Sequence, residues 1–250
     1  MTTFDRLTAR EPLSKKVASE IEEAVRLRKL VPGTRLPSEQ ELGTQFGVSR
    51  TVIREAVRML SAKGLLSIAK GKGIFVRPFD ADNVADPMHL YLQLQIDRDY
   101  ALDVVHARQI IEPPIAAEAA LKRTDQDIAR LRAGVEELRG CPEGFEKLAA
   151  LDMAFHLQIA KASHNPLLPL LLDPIHRLMP DIKSSVYKTV KDARDSAVVW
   201  HSKILEKILQ RDADGAREAM QEHLMIAQKH TMKMLRAQKI ISATEAQPRP

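Results

Sequence analysis

Hydrophobic residues recur every three to four positions through most of the chain, which is the period of amphipathic α-helices. Beyond residue 80 this period predicts helical segments near 84–96, 100–122, 125–139, 144–163, 166–178, 181–190, 193–211 and 213–238. Asn165-Pro166 and Pro180 mark two breaks between these segments. Earlier in the chain the pattern predicts a helix from Leu13 to Lys29, ended by Pro32-Gly33, then two short helices and a β-hairpin that ends at Val76.

The second of the two short helices has one apolar side and one basic side. The apolar side carries Val52, Ile53, Ala56, Val57 and Leu60, and the basic side carries Arg50, Arg54 and Arg58 together with Thr51 and Glu55. We expect the apolar side to pack against a small domain and the arginines to meet a partner. A planar guanidinium group suits this role because it can hold a guanine edge or a phosphate with two hydrogen bonds at once.

Local signals around this helix complete a DNA-binding arrangement. Ser38 and Glu41 have the spacing of a capping box, Gly47 supports the following turn, and Ser49 is placed to cap the basic helix. The tip of the hairpin is Lys70-Gly71-Lys72-Gly73. Its glycines permit a tight reversal, and its lysines can reach a phosphate or the minor groove. A helix, a turn, a basic helix and a hairpin in this order predict a winged helix-turn-helix.

The chain is therefore predicted to be mainly α. An N-terminal winged helix-turn-helix with a small β-wing is followed by an all-α helical bundle of six to eight helices. We place the DNA-binding domain at residues 1–77, a linker at 78–82 and the all-helical domain at 83–240. The last ten residues, 241–250, are expected to form a disordered tail because they are mostly polar.

Positive charge is concentrated in the predicted DNA-binding part. Residues 1–80 hold 15 Lys and Arg against 9 Asp and Glu, whereas the rest of the chain holds 23 against 24. Binding to phosphates needs such an excess, so the nearly neutral helical part is expected to serve another purpose. A single cysteine, Cys141, excludes a disulfide framework. With no apolar signal segment and no run of membrane-spanning length, we expect a soluble cytoplasmic protein without a membrane partner.

Three predicted helices of the bundle carry polar groups on their apolar stripes. Asp152 and His156 lie among Leu148, Leu151, Phe155 and Ile159; His201 heads the stripe of Ile204, Leu205, Ile208 and Leu209; His223 lies among Ala216, Met220, Leu224 and Ala227. An isolated charge buried there would be costly, and one divalent metal ion would satisfy all four groups. One carboxylate and three imidazoles suit Zn²⁺, with Ni²⁺, Mn²⁺ and Fe²⁺ as further candidates.

Spacing alone is weak evidence for this metal site. Three other pairs place a histidine one turn after an aspartate, namely Asp86/His89, Asp103/His106 and Asp173/His176. A histidine on an apolar face is also commonly a hydrogen-bonded core residue. Convergence from three separate helices distinguishes the four candidate ligands, and both interpretations stay open on the residues alone.

The chain resembles GntR-family transcription regulators of the FadR group, which carry an all-helical ligand-binding domain called FCD. The resemblance lies in PGTRLPSEQELGTQFGVSRTVIREAVRMLSAKGLL and GKGIFV, then in RQIIE (108–112), DMAFH (152–156), ASHN (162–165), HSKIL (201–205) and AMQEH (219–223). It covers about residues 10–235, with both halves in the expected order. In such regulators an Asp-x3-His pair and two later histidines hold a metal of variable identity. The resemblance therefore implies the same ligands, Asp152, His156, His201 and His223.

The resemblance also implies which residues contact DNA. They are Arg35, Ser38, Glu39, Ser49, Arg50, Thr51, Arg54, Arg58, Lys70, Gly71, Lys72 and Gly73. We assign base readout to Arg50 and Arg54, and phosphate positioning to the other cationic residues of the set. Glu55, on the same face, would orient an arginine instead of meeting DNA. The wing strand Ser67-Ile68-Ala69 is less basic than is common in the family.

Arg108 and Glu112 lie one helical turn apart near the start of the bundle. One interpretation is a plain ion pair. In the other, Arg108 reaches a cavity and binds the carboxylate of an effector that also meets the metal. The resemblance implies small organic acids as effectors, such as sugar acids, lactate or citrate-type acids. Tyr187 and Trp200 are candidates for the pocket wall, with core packing as the simpler interpretation.

The sequence as a whole predicts a ligand-responsive transcription factor, most simply a repressor. It would act as a homodimer on a pseudo-palindromic operator in double-stranded DNA. A direct metal sensor, with the ion itself as effector, is an alternative that the sequence does not separate from this. A metallohydrolase could use the same ligand set to activate water, but no carboxylate is placed as an obvious general base. No enzymatic activity is expected.

Overall fold

The computed structural model describes residues 11–78, 82–95, 100–142 and 144–245, with side chains described as far as residue 240. The chain divides into two compact units, Met1–Asn83 and Val84–Pro250. The predicted fold class is confirmed, since helices dominate both units and the first unit carries a two-stranded wing. Residues 79–81 of the predicted linker lie outside the described residues.

The first unit begins with three helices and ends with the wing. Its elements are α1 (Leu13–Arg26), α2 (Glu39–Phe46), α3 (Arg50–Ala62), β1 (Leu66–Ala69) and β2 (Gly73–Val76). Helix α1 stops three residues before the predicted Lys29. Arg28 takes a left-handed φ of 55°, and the N–H groups of Lys29 and Leu30 both turn back to the carbonyl of Ala24. This local ending precedes the proline and glycine that were expected to end the helix.

The apolar side of α3 forms the centre of the first core. Ile53, Ala56, Val57 and Leu60 are buried there, as the helical period predicts. They pack with apolar residues of α1, of the segment that follows it, of α2 and of the wing, namely Val17, Ala18, Ile21, Leu36, Leu42, Leu66, Ile74 and Val76. The two wing strands pair in antiparallel register from Leu66↔Val76 to Ala69↔Gly73. Burial of one side of α3 leaves its arginine side exposed.

The rest of the described chain is helical. Its elements are α4 (Asp82–Gln95), α5 (Ala101–Lys122), α6 (Asp125–Gly140), α7 (Phe145–Ala162), α8 (Leu167–His176), α9 (Met179–Thr189), α10 (Ala193–Leu209) and α11 (Ala213–Glu245). Two apolar clusters hold them together. One surrounds Phe155, Ile204 and Leu224, and the other surrounds Val105 and Met179. Helix α7 contributes to both clusters, so its polar residues lie near the middle of the unit.

Three details differ from the predicted pattern. Pro180 lies in the first turn of α9, where its missing N–H has no helical partner to lose, instead of in a break. Leu209 is 41% exposed, although the period placed it on the buried stripe of α10. Helix α11 continues to Glu245, which corrects the predicted start of the tail at residue 241, because no proline or glycine interrupts this stretch. Residues 246–250 lie outside the described residues.

Within the part of the chain that the structure describes, no helix combines the length and apolarity needed to cross a lipid bilayer.

Candidate DNA interface and candidate metal centre

Side-chain caps begin both α2 and α3, and a glycine ends α2. The Ser38 hydroxyl accepts a hydrogen bond from the Glu41 N–H (3.3 Å), and the Glu41 carboxylate accepts one from the Ser38 N–H (2.7 Å), which completes the predicted capping box. The Ser49 hydroxyl accepts from the N–H of Val52 (3.4 Å) at the start of α3. Gly47 ends α2 in the left-handed region, with a φ of 65°. The two helices are therefore held in a defined relation by the turn itself.

The predicted contact residues on α3 lie together on its exposed side. Arg54 makes a forked ion pair with Glu39 of α2, with Nε to Oε1 at 3.3 Å and Nη2 to Oε2 at 3.0 Å. Arg50 Nη2 lies 3.9 Å from the same Oε2 atom. The hydrogen bonds from Arg54 lower the pKa of Glu39 below its ordinary value. The carboxylate that orients an arginine on this face is thus Glu39 and not the predicted Glu55.

Arg35, which precedes α2, lies beside the tip of the wing. Gly71 and Gly73 have φ values of 74° and 118°, which side-chain-bearing residues adopt only under strain. A Cβ added to Gly73 would lie 2.9 Å from Arg35 Nε, so the absence of a side chain there makes room for the guanidinium. Lys70 and Lys72 are exposed on either side of Gly71. Arg35 and the two lysines therefore present positive charge at the wing tip.

In the second unit the structure brings together all four predicted metal ligands. Asp152 and His156 come from α7, His201 from α10 and His223 from α11. One ligand atom from each residue lies within 4.8 Å of the corresponding atoms of the other three, and all four residues are buried. His156 Nε2 is 3.2 Å from His223 Nε2 and 3.5 Å from Asp152 Oδ1. The geometry thus agrees with the convergence that the apolar stripes suggested.

Several of these atoms have unused bonding capacity. Among the described residues, no hydrogen-bond partner satisfies Asp152 Oδ1 or either ring nitrogen of His201. His201 Nε2 lies 3.3 Å from Asp152 Oδ1, but without hydrogen-bonding geometry. Buried polar atoms are rarely left in this state, because each costs free energy comparable to a lost hydrogen bond. A metal ion would bind Asp152 Oδ1 and one of the two ring nitrogens of His201.

The protonation states also suit a metal ion. Burial lowers the pKa of His201 to about 4 and lowers the pKa of His223 well below its ordinary value. Burial alone would raise the pKa of Asp152, but the nearby Lys183 ammonium group contributes to holding it well below its usual range. At neutral pH His201 and His223 thus offer neutral imidazoles, and Asp152 offers an ionised carboxylate. Such a donor set fits Zn²⁺ and other divalent first-row ions.

Glu112 connects the cluster to neighbouring helices. Its Oε2 lies 2.5 Å from His156 Nδ1, and its Oε1 lies 2.9 Å from His176 Nε2 and 2.6 Å from Arg108 Nε. Burial would raise the pKa of Glu112, but Arg108 and His156 keep it well below its ordinary value. An ionised carboxylate only accepts hydrogen bonds, so His156 Nδ1 must carry a hydrogen. Nε2, which faces His223 and Asp152, is then the ring nitrogen of His156 that could bind a metal ion.

The other oxygen of Asp152 is held by two residues of α9. Asp152 Oδ2 forms an ion pair with Lys183 Nζ at 2.5 Å and accepts a hydrogen bond from the Tyr187 hydroxyl (2.6 Å). Burial, with Asp152 as the next cause, raises the pKa of Tyr187 well above its ordinary value, so its hydroxyl remains a donor. This arrangement leaves Oδ1 for a metal ion. Tyr187 is therefore both a core residue and a support of the candidate site.

The plain ion pair that the sequence suggested for Arg108 is present, and its contact with an effector stays a prediction. Arg108 is fully buried and pairs with Glu112 within the same helix. Its Nη1 and Nη2 atoms are also buried, and no described residue accepts a hydrogen bond from them. A guanidinium group carries five N–H donors, and among the described residues only the Nε–H of Arg108 has an acceptor. The pair with Glu112 uses Nε and leaves both terminal nitrogens without an acceptor among the described residues.

Sequence reasoning missed part of this site. His176 was noted only for its spacing from Asp173, but Asp173 binds Arg177 (2.7 Å) and His176 turns to Glu112. Lys183 had no signal beyond its position in an amphipathic helix. The Asp103/His106 pair has the same spacing and is exposed on α5. Trp200 is partly buried, and Lys203 Nζ lies 4.1 Å from the centre of its ring.

A winged helix-turn-helix with an exposed arginine side, followed by a helical unit that buries one aspartate and three histidines, is the arrangement of a DNA-binding transcription regulator. Residues 13–76 match the family described as bacterial regulatory proteins, gntR family, and residues 103–225 match the FCD domain. The chain belongs to the GntR family and carries the FCD domain of its FadR group. It is a DNA-binding regulator and not an enzyme.

Relatives agree with this assignment. The chain is 33% identical over 208 residues to the Uxu operon transcriptional regulator of Escherichia coli (strain K12), covering 77% of this chain and 76% of that protein. It is 30% identical over 195 residues to the galactonate operon transcriptional repressor of the same organism, covering 76% and 84%. The solved structure of Streptococcus agalactiae GntR has a TM-score of 0.68 at 25% identity, covering 86% of this chain and 99% of that chain.

Proposed function

We propose that this protein is a repressor whose operator binding is controlled by a small organic acid, bound beside a divalent metal ion in the helical unit. Zn²⁺ is the first candidate for the ion, followed by Ni²⁺, Mn²⁺ and Fe²⁺. The proposed metal ligands are Asp152, His156, His201 and His223. The proposed effector contact is Arg108.

The observation that carries this proposal is the state of Arg108. Burying a guanidinium group whose terminal nitrogens meet no described acceptor is costly, and a bound carboxylate would remove the cost. Two parallel N–H···O hydrogen bonds between an arginine and a carboxylate are strong and directional. A bound metal ion would supply Lewis-acid coordination for another oxygen atom of the same ligand. The name of the galactonate operon repressor supports a sugar acid or a similar carboxylate as the ligand class.

On the DNA side we assign base readout to Arg50 and Arg54. Arg35, Arg58, Lys70 and Lys72 would position the protein on phosphates, and Gly71 and Gly73 would let the wing approach the backbone closely. The remaining predicted contacts, Ser38, Glu39, Ser49 and Thr51, line the start of α2 and of α3. Ser38 and Ser49 also cap these helices, and Glu39 is proposed to orient Arg54.

A homodimer would place two such surfaces on one pseudo-palindromic operator, because two-fold protein symmetry matches two-fold DNA symmetry. Repression would end when the effector stabilises the state that binds the operator weakly. By linkage, the effector must bind this state more tightly, and operator DNA must weaken effector binding by the same factor.

The test is a thermal-melting screen of zinc-loaded protein against D-galactonate, L-lactate and citrate. A ligand that binds the folded state raises the melting temperature by mass action. We expect at least one acid to raise it in the wild type and no shift in Arg108→Ala, with the zinc content unchanged. Arg108→Lys keeps the charge but lacks the planar fork, so it should also respond weakly. Arg132→Ala, which removes an exposed arginine of α6, is the matched control.

The metal-sensor alternative has its own support. The four proposed ligands would be enough for a four-coordinate structural zinc site, without an external ligand. Release of operator DNA on addition of Zn²⁺ alone, reversed by a chelator, would favour this function over the acid-controlled one.

A further inference from the structure

A second buried group beside Arg108 has unused bonding capacity. His176 on α8 is 4% exposed, and its Nε2 lies 2.9 Å from Glu112 Oε1, the atom that also accepts from Arg108 Nε at 2.6 Å. His176 Nδ1 is buried and has no hydrogen-bond partner in the described part of the chain. One carboxylate oxygen therefore holds two neighbouring side chains, and each has polar atoms left unsatisfied.

The two unsatisfied groups have opposite chemistry. Glu112 Oε1 accepts a hydrogen bond from Arg108 Nε, so we assign the hydrogen in its contact with His176 to Nε2. Burial lowers the pKa of His176, which favours the neutral ring. In a neutral ring with hydrogen on Nε2, the Nδ1 atom is an acceptor that needs an O–H or N–H donor. The terminal nitrogens of Arg108 are donors and need an acceptor such as a carboxylate.

We propose that His176 determines the specificity of the effector site. Its Nδ1 atom accepts a hydrogen bond from a hydroxyl group of a hydroxy acid whose carboxylate is held by Arg108. This inference rests on the proposed function and narrows its ligand class from organic acids to hydroxy acids. An acid without the hydroxyl would leave Nδ1 buried and without a donor. A site built to hydrogen-bond a hydroxyl group rejects analogues that lack it, because an unpaired buried polar group costs free energy.

The chemistry of the acceptor separates this role from coordination to the metal. A metal ion can bind an ether oxygen as well as a hydroxyl oxygen, because it needs only a lone pair. His176 Nδ1 needs the hydrogen itself. An O-methyl ether of the same acid keeps the oxygen and removes the donor, so it should lose the contact with His176 and retain the oxygen that a metal ion can bind.

The experiment is calorimetric titration of zinc-loaded full-length protein with two ligand series. They are L-lactate, its O-methyl ether and propanoate, and D-galactonate, its 2-O-methyl ether and 2-deoxy-D-galactonate. In the series that binds, we expect the wild type to prefer the hydroxy acid over its ether by about tenfold, the value of one net hydrogen bond of about 1.4 kcal/mol. In His176→Phe this preference should fall to about twofold or less, while affinity for the deoxy acid stays within about twofold. Circular dichroism and zinc content would verify that the variant is folded and loaded.

Two control variants test whether the change in preference is specific to the acceptor atom of His176. His176→Gln retains an acceptor oxygen and a donor for Glu112, so it should keep part of the preference. His106→Phe, at an exposed histidine of α5, should keep all of it. An unchanged preference in His176→Phe, or equal binding of hydroxy acid and ether to the wild type, would overturn the role of His176 alone. Absence of binding by every acid of both series would overturn the proposed function as well.

Discussion

Glu39 at the start of α2 holds the guanidinium of Arg54 on α3 by two hydrogen bonds, Nε to Oε1 at 3.3 Å and Nη2 to Oε2 at 3.0 Å. Both side chains are partly exposed, so this ion pair adds little to the free energy of unfolding. Its effect is to restrict the rotamers of Arg54 before DNA arrives. A side chain that is already ordered loses less entropy on binding, which favours a defined contact over a diffuse one.

Replacement of this arginine tests the assignment of base readout. Arg54→Ala should weaken binding to an operator selected by the wild type by ~1–3 kcal/mol and relax the preference at one base pair of each half-site. Fluorescence anisotropy at fixed salt, on the operator and its single-base variants, measures both effects. Arg58→Ala, assigned to a phosphate, should weaken all sequences alike. The same uniform loss in Arg54→Ala would make Arg54 a phosphate contact instead.

Loss of one histidine tests the metal ligands. His201→Ala should lower the zinc content of purified protein and reduce its response to the effector, while the helical signal in circular dichroism stays unchanged. His201 is buried on α10, and its ring stacks on Phe155 with the two ring centres 4.1 Å apart. His106→Ala removes an exposed histidine and should retain the zinc. Equal zinc content in both variants would remove His201 from the ligand set.

Glu112 should influence the metal without touching it. Glu112→Gln keeps the shape of the side chain but weakens the hydrogen bond that orients His156, so the affinity for zinc should fall by ~10–100-fold. Competition with a chromophoric chelator measures this affinity. Glu118→Gln on the same helix changes a carboxylate that pairs with Lys122 at the surface, and it should bind zinc like the wild type. Unchanged affinity in Glu112→Gln would make Glu112 a partner of Arg108 only.

Metal-free protein should lose stability in acid. The pKa of His201 is lowered from 6.5 to about 4 in the folded protein, so between these values the unfolded chain takes up a proton that the folded chain does not. The free energy of unfolding should therefore fall as pH decreases through this window, by at most ~1.4 kcal/mol per pH unit for each such histidine. Urea unfolding in the presence of a chelator measures the slope, and His201→Gln should flatten it. An equally steep slope in that variant would assign the titration to other groups.

The wing glycine next to Arg35 offers a test of local geometry. Gly73→Ala combines a φ of 118° with a Cβ 2.9 Å from Arg35 Nε, so we expect a loss of ~1 kcal/mol or more in stability and weaker operator binding. Gly134→Ala is the matched control on α6, where no described atom lies within 4 Å of the added Cβ. In Gly134→Ala we expect the free energy of unfolding to rise by up to ~1 kcal/mol, because alanine has a higher helix propensity than glycine. Urea unfolding of both variants decides between these outcomes.

The DNA-reading unit was largely predictable because its signals are local. The capping box of Ser38 and Glu41, the cap at Ser49 and the buried side of α3 all follow from spacings of a few residues, and the structure contains each of them. The partner of Arg54 did not follow from spacing. Glu39 lies fifteen positions away, and only the angle between α2 and α3 brings the two side chains together.

The buried cluster was predictable only in part. Apolar stripes on three helices indicated Asp152, His156, His201 and His223, because a polar residue on such a stripe must face inward. His176 shares its spacing from an aspartate with His106, yet one is buried and the other exposed. The difference depends on the packing of α8 against α5, which no local pattern encodes. The supporting role of Lys183 depends in the same way on the position of α9.

The DNA-binding unit and the candidate metal site are completed at different times while the chain is synthesised. The DNA-reading unit is complete at Val76, whereas the ligand set is complete only when His223 has been added. Domains generally fold from the N-terminus as they are made. A chain interrupted before α11 would therefore carry the whole DNA-binding surface and an incomplete control site. Under the proposed function such a fragment would not respond to the effector, so degradation of unfinished chains would matter more here than in a regulator whose sensor precedes its DNA-binding unit.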